Sequence, residues 1–347
     1  MIFNKILLDW YALNKRELPW RNTVNPYYIW LSEIILQQTR VQQGLSYYLK
    51  FINAFPTIFD LANAKEDKVL KLWQGLGYYS RARNLHYSAK DIVSNRNGKF
   101  PDNYKEILGL KGVGPYTAAA ISSFAFDLPY AVVDGNVIRV LSRFFGIDVP
   151  FDTAPGKKMF QELAQELIDR ERAAEYNQSI MEFGAIQCTP RLAKCNNCPL
   201  SAECTAFNNN EVESFPVKSK RMKSRKRFIN YLIIEQDDAV LFGKRKEGIW
   251  RGLYEFPFLE FSKNTLPSSV LKSDIWAELF NDLDYEIDFI SEEFLHKLSH
   301  QQIYAKFWGI KVKRLNLANY QLVRKSEINN YPVSSLIDKF LQQMKFS

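Results

Sequence analysis

From Phe3 to about Cys204, apolar residues recur at intervals of three and four, which is the spacing of helices that bury one face. The segment from Ile58 to Trp73 shows the pattern clearly. Short turn motifs such as Asn25-Pro26 and Asn97-Gly98 separate the helical segments. The pattern predicts an all-α domain of many helices over residues 1–207.

After Arg227 the pattern changes to short runs of β-branched and aromatic residues, which are typical of strands. Two helices are expected among these strands, Ser268–Phe280 and Val333–Met344. The pattern therefore predicts a second, α+β domain over residues 228–347 and a multi-domain fold class. The predicted strands are Phe228–Ile234, Ala239–Gly243, Leu253–Leu259, Tyr285–Ile290 and Ile303–Val312.

Residues 208–227 separate the two patterns and are predicted to form an exposed basic linker. The polar residues at 208–211 are followed by Pro216 and a run of lysines and arginines. A solvated hinge and a segment that touches DNA phosphate are both open interpretations. The basic residues are Lys218, Lys220, Arg221, Lys223, Arg225, Lys226 and Arg227.

The chain has 347 residues and a formal net charge of +8, which favours a polyanionic partner without proving one. Its longest apolar stretch, Thr117–Val133, is interrupted by Asp127 and Pro129, so no membrane span is expected. The N-terminus lacks the long apolar centre of a signal peptide. We expect a cytoplasmic monomer that associates with the nucleoid through DNA.

The four cysteines of the chain lie close together in the pattern C-x6-C-x2-C-x5-C. Thiolates this crowded, with no cysteine elsewhere to pair with, indicate a metal site. The spacing favours a [4Fe-4S] cluster over zinc, which more usually shows two separated C-x2-C pairs. Two disulfides are the remaining alternative, disfavoured in a cytosolic chain. The predicted ligands are Cys188, Cys195, Cys198 and Cys204.

Leu110–Gly114 separates a helix ending near Leu108 from a second helix, Tyr116–Phe126. Gly112 and Gly114 allow another backbone to approach closely, and the free N–H groups of the next helix form an anion site. The segment fits a helix-hairpin-helix, which grips DNA backbone without reading sequence. An ordinary glycine-rich connection is the alternative.

Two carboxylates lie in contrasting environments. Asp134 directly precedes a predicted helix, Asn136–Phe145, so that it caps N–H groups and is expected to stay ionised. Glu33 lies inside a helix that is apolar nearly all round, where desolvation raises its pKa. A neutral acid beside a persistent anion can cleave a glycosidic bond. The alternatives are a cap alone for Asp134 and a solvated helix edge for Glu33.

Together with the cysteine loop, these motifs resemble the endonuclease III superfamily of DNA repair glycosylases, and within it the chain is similar to MutY-type adenine DNA glycosylases. The resemblance covers essentially the whole chain. The segments that carry it are Leu18–Arg21, Trp30–Glu33, Leu36–Thr39, Leu76–Leu85, Leu110–Gly114, Val133–Asn136 and Cys188–Cys204.

The resemblance implies base excision repair, in which adenine mispaired with 8-oxoguanine or G is removed from double-stranded DNA and an abasic site is left. Glu33 would protonate adenine at N7, and Asp134 would stabilise the cationic sugar, either by its charge alone or through a transient covalent adduct. Tyr116 and Asn136 would orient these groups. Tyr116 stands where bifunctional relatives carry a nucleophilic lysine, so no lyase activity is expected.

The resemblance also implies DNA-binding roles. Trp20 and Arg21 would line the pocket for the extruded adenine, and Gln38 and Tyr78 would fill the gap in the duplex. Tyr78 follows a glycine-rich turn and is expected to be exposed. The other residues expected to contact substrate or DNA are Thr39, Leu76, Arg81, Arg83, Lys111, Gly112 and Gly114.

Gly248–Pro257 resembles the entry to a Nudix fold, but the acidic helix that would hold Mg²⁺ for hydrolysis is absent. The resemblance implies a domain that reads 8-oxoguanine through Ser299 and His300. Leu298 stands where the family typically has Phe, and it would stack less well on a base.

Three rival functions stay open on the sequence alone. One is a glycosylase for oxidised pyrimidines or for mismatched thymine. The second is a lesion-binding protein without catalysis, which the two carboxylates disfavour. The third is an electron-transfer protein, which the small share of the chain given to cysteines disfavours.

Overall fold

The structure is a computed structural model that describes residues 2–37, 39–219, 225–280, 283–298 and 300–344. The chain forms two compact units, one of Met1–Asn63 with Asn84–Arg221 and one of Ala64–Arg83 with Met222–Ser347. The segment Ala64–Arg83 therefore packs with the second unit, although its helical pattern grouped it with residues 1–207.

The first unit is helical, as its apolar spacing predicts. Phe183 and Ile180, both at most 2% exposed, lie in a core shared by the first and the later helices of this unit. Its helices are α1 Ile2–Asn14, α2 Pro26–Leu36, α3 Val41–Ala54, α4 Ile58–Asn63, most of α6 Ser80–Arg96, α7 Tyr104–Leu108, α8 Pro115–Phe126, α9 Gly135–Phe145, α10 Ala154–Leu167, α11 Ala173–Ile186 and α12 Thr205–Asn208. Short 3-10 turns cover Pro19–Arg21, Cys195–Asn197, Ser201–Glu203 and Val212–Ser214.

The second unit is built on a mixed sheet with helices on both faces. Its longest strands, β1 Arg225–Gln236 and β7 Gln301–Val312, run parallel, and Tyr231 of β1 is paired with Phe307 of β7 in the register. The strands are β1 Arg225–Gln236, β2 Ala239–Lys244, β3 Tyr254–Glu255, β4 Phe258–Phe261, β5 Tyr285–Ile290, β6 Phe294–Lys297, β7 Gln301–Val312 and β8 Tyr320–Arg324. The helices are α5 Glu66–Trp73, α13 Pro267–Val270, α14 Asp274–Phe280 and α15 Ser335–Gln343, with a 3-10 segment at Lys325–Asn330.

Several predicted elements of this unit have different bounds in the structure. The single strand expected at Leu253–Leu259 is two strands, since Pro257 between them has no N–H for a ladder. The helix expected at Ser268–Phe280 is broken near Ser273, whose hydroxyl accepts from the Trp276 N–H at 3.3 Å. Strands β6 and β8 were not predicted, because they are short and mostly exposed.

The described part of the basic segment is more ordered than an exposed linker. Strand β1 begins at Arg225, inside the predicted linker, and Arg227 pairs with Glu260 at 2.6 Å. On the other side of the gap, Ser219 donates to Asp152 at 2.7 Å. Residues 220–224 lie outside the described ranges. Among the described helices, none has both the length and the apolar character that a membrane span needs.

Candidate active site and metal centre

Glu33 lies near the middle of α2 and faces a cavity of about 190 Å³ in the helical unit. Its neighbours Trp30, Leu31 and Ile34 are at most 3% exposed, and Glu33 itself is 6% exposed. The structure therefore confirms the buried environment that the apolar sequence around Glu33 predicts.

The pKa of Glu33 is raised to about 7, chiefly by burial and also by the negative charge of Asp134. A hydrogen bond from the Tyr116 hydroxyl to Glu33 Oε2, 2.8 Å long, and the Arg21 cation act in the opposite direction. Burial also raises the pKa of Tyr116 well above its usual range, so the phenol stays a donor. At neutral pH a large fraction of Glu33 is therefore protonated.

Asp134 caps α9, as predicted. Its Oδ1 accepts from the N–H groups of Asn136 and Val137, both at 2.8 Å, and its Oδ2 accepts from Asn136 Nδ2 at 2.7 Å. Burial nevertheless outweighs these hydrogen bonds and raises the pKa of Asp134 above its usual value. Asp134 is half-buried, because it lines the open cavity. A ligand bound in the cavity would remove more water from the carboxyl group and raise its pKa further.

The cavity beside Glu33 brings together most of the residues expected to contact the base or the sugar. All of them belong to the helical unit, although they are widely separated in sequence. Gln38 lies outside the described residues. The predicted residues that line the cavity are Trp20, Arg21, Glu33, Thr39, Tyr116, Asp134 and Asn136.

A third carboxyl group on the cavity wall, that of Glu182, was not predicted. It is 1% exposed and accepts from Arg16 Nη2 at 2.6 Å and Arg21 Nη2 at 2.7 Å. Although burial alone would raise its pKa, these bonds lower it to about 2. Glu182 therefore stays an anion at pH values where Glu33 binds a proton, and it fixes the Arg21 guanidinium at the cavity wall.

Replacing Glu182 with Gln should destabilise the protein and impair base release together. The change removes one charge and leaves Arg16 and Arg21 unpaired, at a cost of about 1–3 kcal/mol, discounted because Arg16 is 38% exposed. Thermal unfolding and single-turnover base release would measure both effects. Glu162→Gln is the matched control, since Glu162 makes only an exposed pair with Lys158. Equal behaviour of the two variants would contradict the role given to Glu182.

Two arginines of α9 connect the capped aspartate to the cysteine loop. Arg139 donates to Asn136 Oδ1 at 2.8 Å and to the Cys188 carbonyl at 2.7 Å. Arg143 donates to the Thr189 carbonyl at 2.7 Å and to Cys188 Sγ at 3.5 Å. A continuous chain of hydrogen bonds thus runs from Asp134 through Asn136 and Arg139 to the first cysteine.

The four predicted metal ligands line one small cavity beside Arg143. All four cysteines are free thiols in the structure, which argues against the two disulfides considered as an alternative. Within the described ranges, no three His, Cys, Asp or Glu side chains converge closely enough to hold a single ion. Four cysteine sulfurs around one cavity provide the soft ligand set that an iron–sulfur cluster or zinc takes.

The predicted hairpin connects α7 and α8 and packs on α6. Gly112 has a φ of +85°, which favours glycine, and a Cβ there would lie 2.7 Å from Asn84 Cβ. Gly114 is the N-cap of α8, with Pro115 at the first helical position. Lys111 is exposed beside these glycines.

A larger cavity of about 640 Å³ lies within the second unit and includes residues predicted to fill or read the duplex. Tyr78 is 46% exposed, as predicted, with the Arg81 guanidinium 4.5 Å from its ring centre. Arg83, a predicted phosphate contact, donates instead to the Arg251 carbonyl. Ser299 lies outside the described residues. The predicted residues that line this cavity are Leu76, Tyr78, Arg83, Leu298 and His300.

Sequence reasoning missed Arg16, Arg139, Arg143 and Glu182. Arg139 and Arg143 are four residues apart in a largely apolar helix, so they lie on the same face of α9. Cations on a buried face need hydrogen-bond acceptors, and this pattern could have indicated that both arginines are buried and paired. Glu182 lies likewise between apolar residues of α11. The pattern could not have identified the hydrogen-bond partners that are distant in sequence, such as the Cys188 carbonyl for Arg139 and Arg16 for Glu182.

Comparison with known proteins defines the class. Residues 31–170 match the family described as HhH-GPD superfamily base excision DNA repair protein, and residues 230–343 match the NUDIX domain. An adenine DNA glycosylase of Buchnera aphidicola is 35% identical over 91% of this chain and 88% of its own length. The chain belongs to the adenine DNA glycosylase family, enzymes of base excision repair.

Solved structures agree on the helical unit. A thermostable thymine-DNA glycosylase is 32% identical, with a TM-score of 0.56 over 60% of this chain and 96% of its own. Endonuclease III in a non-covalent DNA complex has a TM-score of 0.52 at 20% identity, over 60% of this chain and 96% of its own, which shows a shared fold. Together with the NUDIX match over residues 230–343, this similarity confirms the predicted fold classes of both domains.

Proposed function

We propose that this enzyme hydrolyses the N-glycosidic bond of adenine opposite 8-oxoguanine or G and leaves an intact abasic strand. One observation carries the proposal. Glu33, with a pKa near 7, and Asp134, capped and partly open, face the same cavity. An acid and an anion on one cavity are the equipment for glycosidic cleavage through an oxocarbenium-like transition state.

Glu33 supplies the proton. Tyr116 occupies its Oε2, so the other carboxyl oxygen is the one available to a base in the cavity. Protonation of adenine at N7 turns the base into a neutral leaving group. The raised pKa suits this task, because a general acid works best when its pKa lies near the operating pH.

Asp134 stabilises the positive charge that develops on the sugar. Its three hydrogen bonds from Asn136 and Val137 hold the carboxylate at the start of α9 and favour its charged form. Arg139 in turn fixes the Asn136 amide by bonding its oxygen. Water would then attack the sugar cation directly, or would cleave a transient ester formed between the sugar and Asp134, and in both cases the abasic sugar receives the hydroxyl of water.

Tyr116 should limit the reaction to base removal. A lysine at this position could attack the sugar carbon as an amine and then cleave the strand, but a neutral phenol bonded to Glu33 cannot. Borohydride should therefore trap no covalent DNA adduct that depends on Tyr116. An adduct that the native protein forms and that the Tyr116→Phe variant loses would contradict this expectation.

DNA must reach the cavity with the adenine extruded from the stack, at a cost of a few kcal/mol. The hairpin at Lys111–Gly114 would hold the backbone, and exposed Tyr78 would support the opened duplex. In the second unit, His300 and Leu298 mark the edge of the cavity where the opposite base would be read. Ser299→Ala should erode the preference for 8-oxoguanine over G more than it slows chemistry.

We infer that Cys188, Cys195, Cys198 and Cys204 hold a [4Fe-4S] cluster, which orders the loop and serves no step of hydrolysis. Cys198→Ser should lose the brown chromophore and DNA binding together. Iron analysis and visible absorption of the purified protein would measure the first effect. A colourless protein that binds DNA normally and contains zinc would contradict the cluster.

The direct test of substrate and reaction is a glycosylase assay on four duplexes, followed by heat and alkali. The duplexes carry A opposite 8-oxoguanine, A opposite G, T opposite G, and thymine glycol. We expect base loss from the two adenine duplexes, fastest opposite 8-oxoguanine, with strand breaks only after alkali. Release of thymine or of thymine glycol, or breaks before alkali, would contradict the proposal.

A further inference from the structure

Helix α6 supports the hairpin through side chains on one of its faces. The Gly112 backbone packs so closely on α6 that a Cβ on Gly112 would lie 2.7 Å from Asn84 Cβ, and Ser88 Oγ donates to the Lys111 carbonyl at 3.1 Å. Tyr87, between them in sequence, has the Lys111 Nζ 4.2 Å from its ring centre. The hairpin is thus fixed to α6 at two backbone positions and at one side chain.

The contact between Tyr87 and Lys111 differs from the other two. The Asn84 and Ser88 contacts fix the path of the backbone, whereas the aromatic ring fixes the position of a charge. A lysine ammonium this close to an aromatic face is held by a cation–π interaction. Tyr87 is 55% exposed, so it adds little to the core and its ring stands at the surface beside Lys111.

We propose that Tyr87 is a positioning residue that holds the Lys111 ammonium at the hairpin, ready for a DNA phosphate. The proposal rests on the proposed function of the hairpin as a contact with the DNA backbone. A free lysine side chain carries about 2 kcal/mol of rotamer entropy, part of which is lost when it binds a phosphate. Because the Tyr87 ring already restricts the Lys111 side chain in the free protein, less rotamer entropy is lost when the phosphate binds. The DNA complex therefore forms with higher affinity.

The effect should be measurable in affinity and small in chemistry. Loss of one exposed cation–π contact corresponds to about a two- to fivefold weaker DNA complex. Base release at saturating enzyme should not change, because Tyr87 does not line the catalytic cavity. Tyr87→Phe keeps the aromatic face and should bind DNA like the native protein, whereas Tyr87→Leu should not.

The test is a double-mutant cycle on the full-length protein with a duplex that carries A opposite G. The dissociation constant would be measured against salt concentration for the native protein, Tyr87→Leu, Tyr87→Phe, Lys111→Met and the double variant Tyr87→Leu/Lys111→Met. We expect Lys111→Met to reduce the slope of log K against log salt by about 0.9, the share of one phosphate contact. In the Lys111→Met background, Tyr87→Leu should have no further effect.

The possible results separate this proposal from the one on which it rests. If Tyr87→Leu weakens binding as much without Lys111 as with it, the ring contacts DNA itself and the positioning role is refuted. Unchanged or tighter binding by Tyr87→Leu alone would also refute it. If Lys111→Met leaves the salt slope intact, the hairpin has no phosphate contact at Lys111, and both proposals fall while adenine release can remain. Melting temperatures show whether each variant is folded.

Discussion

Glu33→Gln should reduce single-turnover adenine release by about 10²- to 10⁴-fold, the range that a positioned general acid contributes. Gln has the shape of Glu and keeps a carbonyl oxygen that can accept the Tyr116 hydroxyl, which lies 2.8 Å from Glu33 Oε2 in the native protein. It has no acidic proton to give to the base. The loss would therefore report the missing proton, and the architecture of the site would be preserved.

DNA affinity provides the control for this variant. Because Glu33 is buried at the floor of the cavity, Glu33→Gln should bind the mispaired duplex about as well as the native protein does. Removing a group whose charged form is disfavoured by burial should also leave the melting temperature equal or higher. Adenine release at the native rate would show that another group supplies the proton.

Gly184→Ala should reduce base release by about 10²-fold, although the substitution lies outside the cavity. A Cβ at Gly184 would lie 2.7 Å from Asn136 Cβ and 2.8 Å from the Asn136 carbonyl oxygen, so α11 or the start of α9 must move. Such a shift displaces the amide that donates to Asp134. Alanine favours helix more than glycine does, so only this contact can account for a loss.

Gly114→Ala is compared with Gly184→Ala for the chemical step only, because Gly114 belongs to the proposed DNA-binding hairpin and its variant should bind DNA more weakly. A Cβ at Gly114 meets no atom of the described residues within 4 Å, and its backbone φ of −97° suits any residue. This variant should release adenine at the native rate once enzyme saturates the DNA. If Gly184→Ala also behaves like the native protein, the packing of α11 does not fix Asp134.

 The apolar residues around Glu33 were enough to predict that its side chain is buried and that its pKa is raised. The Val-Asp-Gly-Asn motif was enough to predict that Asp134 caps a helix. Neither pattern shows that both side chains face one cavity. That expectation came from resemblance, and the structure supports it.

Other features depend on partners that are distant in sequence, and local patterns do not reveal them. The low pKa of Glu182 depends on Arg16 and Arg21, which contact it in the structure but lie near the start of the sequence. The raised pKa of Asp134 reflects burial by several elements, which a capping motif does not report. The packing of Ala64–Arg83 with the sheet unit has the same origin, since Asp67 bonds Lys244 at 2.6 Å.

The pH dependence of single-turnover adenine release tests the central claim most directly. If Glu33 acts as a protonated acid, the rate at subsaturating enzyme should fall as pH rises through about 7, because the acid form is lost there. Glu182, with a pKa near 2, stays charged throughout this range and cannot produce the change. A rate that stays constant between about pH 6 and 9, or that rises across this range, would contradict the account.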